Sequence, residues 1–317
     1  MRRRSKRDTK SESPSNDDSI DLFPFTTEDC MEPLKIIDLF EVCFKHVLDS
    51  PDLQDHIQVV KGDLYNRDYF SAFDNDDKRF AYASRWTPAR ALAYTSLFAS
   101  LQPIRNMLED PDTVTNVLCV GGGASSELVA LGAVFCRLKE YNSGSASTLN
   151  INLIDIADWS KVVVNLTGYM KNNWVYHADK INANFICDDI LTASPSSLNL
   201  ELMDLVTLLF TTNELFAEKR KETIKFLQLL NAKCRKGCLL LIAESAGSYS
   251  HITIGERRFP VQFLIDTILV GKPGDDNGAW EIVSQSESSW YRINTKEVDY
   301  PMKLENMRFF YRLYCKK

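Results

Sequence analysis

The chain has 317 residues, 44% of them apolar, enough to bury a large core in one main domain with a smaller appendage. Its formal net charge of −6 excludes indiscriminate nucleic-acid binding, although a local basic patch is compatible with an acidic whole. No apolar run reaches membrane-spanning length, and the N-terminal residues lack the apolar core of a secretory signal, so a soluble, non-secreted chain is expected.

The eight cysteines (Cys30, Cys43, Cys119, Cys136, Cys187, Cys234, Cys238 and Cys315) form no CxxC pair, and several lie inside apolar runs. They read as reduced packing residues, with neither a disulfide frame nor a metal site.

Arg2, Arg3, Arg4, Lys6, Arg7 and Lys10 cluster ahead of a polar, acidic stretch from Ser11 to Asp21. Residues 1–28 are expected to be a disordered tail, either a nuclear-targeting or nucleic-acid arm or a solvated leader. Residues 29–112 read as helical. Leu34, Ile37, Phe40, Phe44, Val47 and Leu48 recur at helical spacing, and a second helical region runs from Pro51 to Phe73, before a charged loop at Asp74–Lys78. Thr87 is expected as an N-cap, with Pro88 opening a helix that Pro103 kinks or ends.

From Thr113 the pattern alternates strand and helix as far as about residue 270. The strands are Val114–Val120, Leu149–Ile156, Ala183–Cys187, Met203–Phe210 and Cys238–Ala243. Trp280–Ser288 and Met307–Cys315 then read as an antiparallel hairpin. The predicted fold is α/β: a Rossmann-like, seven-stranded, mostly parallel sheet over residues 113–317, preceded by a helical subdomain. Five parallel strands closed by an antiparallel hairpin fit a class I methyltransferase better than a dehydrogenase.

Open parallel sheets bind ligands at the carboxyl ends of their strands. After the first strand, Gly121, Gly122 and Gly123 let backbone approach a cofactor; this run alone fits either an imperfect dinucleotide fingerprint or the first loop of an S-adenosylmethionine (SAM) enzyme. Asp155 is placed to accept from ribose hydroxyls, and Asp188, with Asp189 or Ile190 beside it, from an adenine amino group. Thr211, Thr212, Asn213 and Glu214 stand where cofactor and substrate would meet. Plainer roles compete: a tight turn for the glycines, capping for Asp155 and Asn213, a first-turn dipole partner for Glu214, a solvated pair for Asp188 and Asp189, and, for Trp159, packing instead of stacking near the adenine. Two positions depart from the usual methyltransferase loop: Cys119 stands where an acid is common, and Ser125 where a third glycine is.

Three stretches resemble the fungal large-subunit ribosomal RNA uridine-N3 methyltransferases: Phe80–Tyr94 (FAYASRWTPARALAY), Cys119–Leu131 (CVGGGASSELVAL) and Leu209–Phe216 (LFTTNELF). The likeness covers roughly residues 30–317. It implies SAM as methyl donor, ribosomal RNA in a pre-ribosomal particle as substrate, and a nuclear, nucleolar workplace, with the cytoplasm as alternative. Neither membrane nor metal is expected, and a monomer is. Uridine N3 must lose a proton, so a base is needed, with Glu214 and His251 as candidates and Tyr249 able to orient the pyrimidine. Arg85, Trp86 and Arg90 are expected to contact RNA; the other reading has the arginines on the SAM carboxylate or on internal acids and Trp86 in the core. Arg257 and Arg258 read as a second RNA edge or a solvated turn. A non-catalytic assembly factor, a protein methyltransferase and, less readily, a nicotinamide-dependent oxidoreductase remain as alternatives.

Overall fold

The computed structural model describes residues 21–23, 25–139, 145–175, 178–246, 251–254, 257–272, 274 and 277–317. Side chains are described for all of these except residues 21, 22, 251–254, 257 and 258. The basic cluster of the tail and Tyr249 therefore lie outside the described residues.

The N-terminal region comprises β1 (Asp21–Leu22), α1 (Pro33–Cys43), α2 (Lys45–Leu48), α3 (Leu53–Tyr65), α4 (Tyr69–Ala72), α5 (Asp76–Ser100) and α6 (Gln102–Glu109). Within the segment expected to be disordered, β1 pairs in parallel with a C-terminal strand, and Phe23 stacks on Phe309 with ring centroids 5.8 Å apart. The helix expected to start at Thr87 instead starts at Asp76, within the expected charged loop, where the Asn75 side chain accepts the Lys78 N–H at 3.0 Å.

Helix α5 then runs unbroken through Pro88. A proline there removes the bond to the carbonyl four residues back. That carbonyl, Ser84 O, is instead satisfied by the Tyr300 hydroxyl at 2.7 Å. Thr87 is buried and donates to Ala124 O at 3.1 Å, tying α5 to the glycine loop, so it caps nothing. Pro103 sits in the first turn of α6, where its missing N–H is harmless.

The alternating half comprises β2 (Val114–Val120), α7 (Ser126–Lys139), β3 (Thr148–Asp155), α8 (Ser160–Asn173), β4 (Ile181–Cys187), α9 (Pro195–Leu198), β5 (Leu205–Leu209), α10 (Thr212–Glu218), α11 (Arg220–Lys233) and β6 (Leu239–Ser245). Then follow β7 (His251–Ile254), β8 (Arg257–Pro260), α12 (Val261–Leu269), β9 (Trp280–Tyr291) and β10 (Met307–Lys316). The main sheet runs β1-β9-β10-β6-β5-β2-β3-β4. Its five strands from β6 to the edge strand β4 are parallel, and β10 lies antiparallel to both β6 and β9. The expected seven strands are thus present, and the short β1 adds an eighth at the edge. Strands β7 and β8 pair antiparallel as a separate ribbon, so Arg257 and Arg258 belong to a strand and not to a turn.

Alternation along the strands builds a core on each face of the sheet. Val117 and Cys119 of β2 point into the cluster shared with α1, α5, α7 and α8, while Leu118 and Val120 point into the cluster shared with α11 and α12. The helical N-terminal region therefore shares one apolar core with the sheet. Chain order reverses between β2 and β5, the switch point where open sheets form a crevice.

Candidate functional site

A cavity of about 210 Å³ opens at that switch point. Its floor is the tips of β2, β3, β4 and β5; its roof is Tyr69, Phe70 and Phe73 from the α4 region, with Tyr82, Arg90 and Tyr94 from α5. Gly121 turns the chain with φ +70°, and its N–H donates to Ile154 O at 2.8 Å. Here only glycine is unstrained, and a Cβ would meet Thr211, whose Cγ2 would lie 2.7 Å away. Thr211 is fixed by donating to Val120 O at 3.2 Å. Ser125, at the third-glycine position, also takes a left-handed φ of +71° and holds it by donating to Gly123 O at 3.1 Å.

Burial acts on four of the carboxyl groups that face or support the cavity. Asp155 accepts the Gly123 N–H at 3.1 Å on one oxygen and the Ala157 N–H at 3.2 Å on the other, which fixes the carboxylate at the tip of β3 against the cavity. Burial raises its carboxyl above the usual range, and those two backbone bonds oppose the rise. Glu214 projects from the first turn of α10 into the cavity, open to the cavity space yet ringed by protein. Burial pushes it up to about 7, against the Arg90 charge and a hydrogen bond from Tyr69, with the Asp155 and Glu218 charges adding to the rise. Glu127, in the first turn of α7, is only 3% exposed and is raised to about 7, mainly by burial. Glu244, at the end of β6, accepts the backbone N–H of Asn213 at 2.9 Å and its side-chain amide at 2.8 Å; burial raises it to about 8.

Arg90 supplies the cavity's buried positive charge. Its guanidinium donates to the Tyr82 hydroxyl and lies 5.6 Å from the Tyr82 ring centroid and 5.9 Å from that of Phe210.

Of the residues singled out by sequence, Gly121, Gly122, Asp155, Asp188, Asp189, Thr211, Glu214 and Arg90 line this one cavity. Gly123 lies just behind it, where a Cβ would run into the buried Trp159. Asp189 is at the wall, but its carboxylate is taken by the Leu191 N–H at 2.9 Å and by Lys219 at 2.6 Å. The carboxylate of Asp188 is exposed and accepts the Asp189 N–H at 2.8 Å.

Three expected substrate contacts are spent inside the fold. Arg85 is 8% exposed, donating to Lys303 O at 2.8 Å and pairing with Glu305 at 2.6 Å. Trp86 packs on Tyr82 at 4.9 Å and against the core, as the competing reading had it. Asn213 is held by Glu244. His251 opens β7, and its side chain is not among those described.

Sequence reasoning missed Glu127, Tyr69, Tyr82 and Glu244. Tyr82, Arg90 and Tyr94 carried a signal, since spacings of eight and four put them on one helical face. The others become visible only in three dimensions. Among the described residues, no group of three or more His, Cys, Asp and Glu side chains is arranged to hold a metal, and no helix is long and apolar enough to cross a membrane.

A mostly parallel sheet closed by an antiparallel strand, with a glycine turn and an acid at the first two strand tips, defines a Rossmann-like class that binds nucleoside cofactors at the switch point. This chain belongs to the SAM-dependent methyltransferase family, whose model matches residues 40–315. It is 48% identical to the 25S rRNA (uridine(2843)-N(3))-methyltransferase of Saccharomyces cerevisiae over 332 aligned residues, covering 95% of this chain and 90% of the relative. Solved structures with partial likeness include the N-methyltransferase NodS of Bradyrhizobium japonicum, 14% identical with a TM-score of 0.39 over 72% of this chain and 97% of that one. A SAM-dependent methyltransferase of Aquifex aeolicus is 16% identical with a TM-score of 0.35, over 70% and 97%.

Proposed function

We propose that this methyltransferase modifies N3 of a uridine in large-subunit ribosomal RNA and works in the nucleus, at the nucleolus. The observation that carries the substrate is the 48% identity to an enzyme named for that reaction, extending over nearly the whole of both chains. SAM, when bound, supplies an electrophilic methyl group on a sulfonium.

The residues of the cavity fit that cofactor. The cradle at Gly121 has no room for a Cβ, Asp155 presents a carboxylate at the second strand tip, suited to ribose hydroxyls, and the exposed Asp188 carboxylate suits an adenine amino group. Thr211 sets the wall opposite the glycine turn.

We assign the base to Glu214. A carboxyl raised to about 7 is half ionised at neutral pH and is matched to a weakly acidic N–H better than an ordinary glutamate. Glu214 would accept the N3 proton, freeing the nitrogen lone pair to take the methyl group that SAM would supply. Tyr69 orients the carboxylate, and Arg90 steadies its charge. N3 lies on the pairing edge, so the uridine enters unpaired. Phe70, 75% exposed at the cavity rim, offers the base a stacking face.

Depleting the protein in its host and mapping 3-methyluridine along ribosomal RNA tests this function. Loss of the mark at one uridine, restored by the wild-type protein and not by a Glu214→Gln variant, is the expected result. An unchanged methylation map refutes the proposal.

A further inference from the structure

The glycine loop lacks the acid that is common two residues before its first glycine, because Cys119 stands there. The structure brings a carboxylate to the same place from elsewhere. A Cβ built on Gly122 would lie 2.8 Å from the Cys119 Cβ and 3.4 Å from Glu127 Oε2, so the two side chains flank one point beside the loop. Glu127 reaches it from the first turn of α7, only seven residues beyond Val120, the last residue of β2.

We propose that Glu127 binds the α-ammonium group of the methionyl portion of SAM, supplying from the helix the acid that position 119 lacks.

Glu127 is buried among protein atoms, yet it lines the cofactor cavity. Its carboxylate accepts from the Thr207 hydroxyl at 3.3 Å and from its own backbone N–H, both neutral donors. A buried carboxylate is costly unless a cation or several strong donors meet it. The groups bearing on its charge come from each neighbouring element: Arg90 of α5 and Thr207 of β5 ease it, Asp155 of β3 opposes it, and the Cys119 thiol of β2 is itself pushed up by burial and by Glu127. Of the polar groups of SAM, the ammonium is the one that matches such a site: a compact cation with three donors, on a methionyl chain that the glycine turn lets approach. The ribose and adenine ends have their own acids in Asp155 and Asp188. The inference rests on the family's cofactor alone and not on the RNA substrate, so either can fail without the other.

The test compares two ligands that differ at this end. Binding of SAM and of 5′-methylthioadenosine, which has the nucleoside and sulfur but no amino-acid group, is measured by calorimetry on wild-type protein and on Glu127→Gln. The variant is expected to lose about ten- to a hundred-fold in SAM affinity, the size of a charge-assisted hydrogen bond, and to bind methylthioadenosine as wild type does. Unchanged SAM affinity overturns the proposal, and so does an equal loss for both ligands, which would mark a residue that only shapes the pocket.

A measurement on the wild-type protein serves even if the variant folds poorly. The ratio of SAM to methylthioadenosine affinity should fall as pH drops below about 7, as Glu127 takes up a proton. A ratio constant from pH 8 to pH 5.5 refutes the assignment.

Discussion

Replacing Gly121 by alanine tests the geometry of the cofactor cradle through two separable penalties. The backbone sits at φ +70°, where an L-residue is disfavoured by roughly 1–2 kcal/mol. The new methyl would also lie 2.7 Å from Thr211 Cγ2, 3.1 Å from its Cβ, and nearer still to its hydroxyl. Overpacking of that kind costs about 1–3 kcal/mol, and alanine's smaller unfolded-state entropy returns a few tenths to 1 kcal/mol. Gly121→Ala should therefore destabilise the protein by about 2–4 kcal/mol in urea unfolding and weaken SAM binding. Thr211→Ala removes both nearest atoms, together with a hydrogen bond to Val120 O worth about 1 kcal/mol. In a double-mutant cycle the pair should be about 1–3 kcal/mol less destabilised than the two single effects predict, leaving only the backbone term unrescued. Additivity to within about 0.5 kcal/mol would refute the contact and with it the packing of the first and fourth parallel-strand tips against each other.

Glu214→Gln should reduce kcat by about 10²–10⁴-fold with SAM affinity near normal, and should abolish the acid limb near pH 7 in the pH–rate profile; wild-type turnover rules Glu214 out as base. Tyr69→Phe removes a hydrogen bond that favours the ionised carboxylate, so the same limb should move to higher pH and activity lost at neutrality should return at alkaline pH; an unmoved limb refutes the Tyr69 contact. The Glu244 carboxyl is raised to about 8 in the folded state, so its contribution to stability is complete below the ordinary glutamate range and is lost as pH climbs through about 8. Glu244→Gln should flatten that decline in melting temperature between pH 5 and 9, and a slope matching wild type would contradict it. Tyr300→Phe leaves the Ser84 carbonyl buried and unpaired beside Pro88 and should cost about 1–3 kcal/mol, whereas a loss under about 0.5 kcal/mol would mean the hydroxyl does not relieve the proline.

That proline explains where the sequence was misread. The inner strands β5 and β6 are legible because burial on both faces imposes continuous apolar runs, and β2 falls on Val114–Val120 as predicted. Pro88 carries an equally strong local message, a helix start, which is overruled by a hydroxyl 216 residues along the chain from the Ser84 carbonyl it bonds. Helices α10 and α11 meet at a break at Lys219, whose ammonium pairs with Asp189, another long-range contact without a local signature. Local propensity sets the default, and a single tertiary hydrogen bond is enough to displace it.

The site divides in the same way. Its floor could be read because residues at consecutive strand ends converge wherever a parallel sheet forms, so Gly121, Asp155, Asp188 and Glu214 needed only the order of the strands. Its roof could not, since nothing in the spacing of Tyr69 or Tyr82 says that α4 and α5 will lie over those tips. Arg85 and Arg90 make the point most sharply. They are five residues apart on one helix, and that spacing turns them to different faces, one toward Glu305 in the C-terminal segment and the other into the cavity. Residue type alone left both open to RNA, to the SAM carboxylate or to internal acids. The distinction between an arginine that clasps the fold and one that charges the cavity lies in what α5 packs against, and that is set by the sheet beneath it.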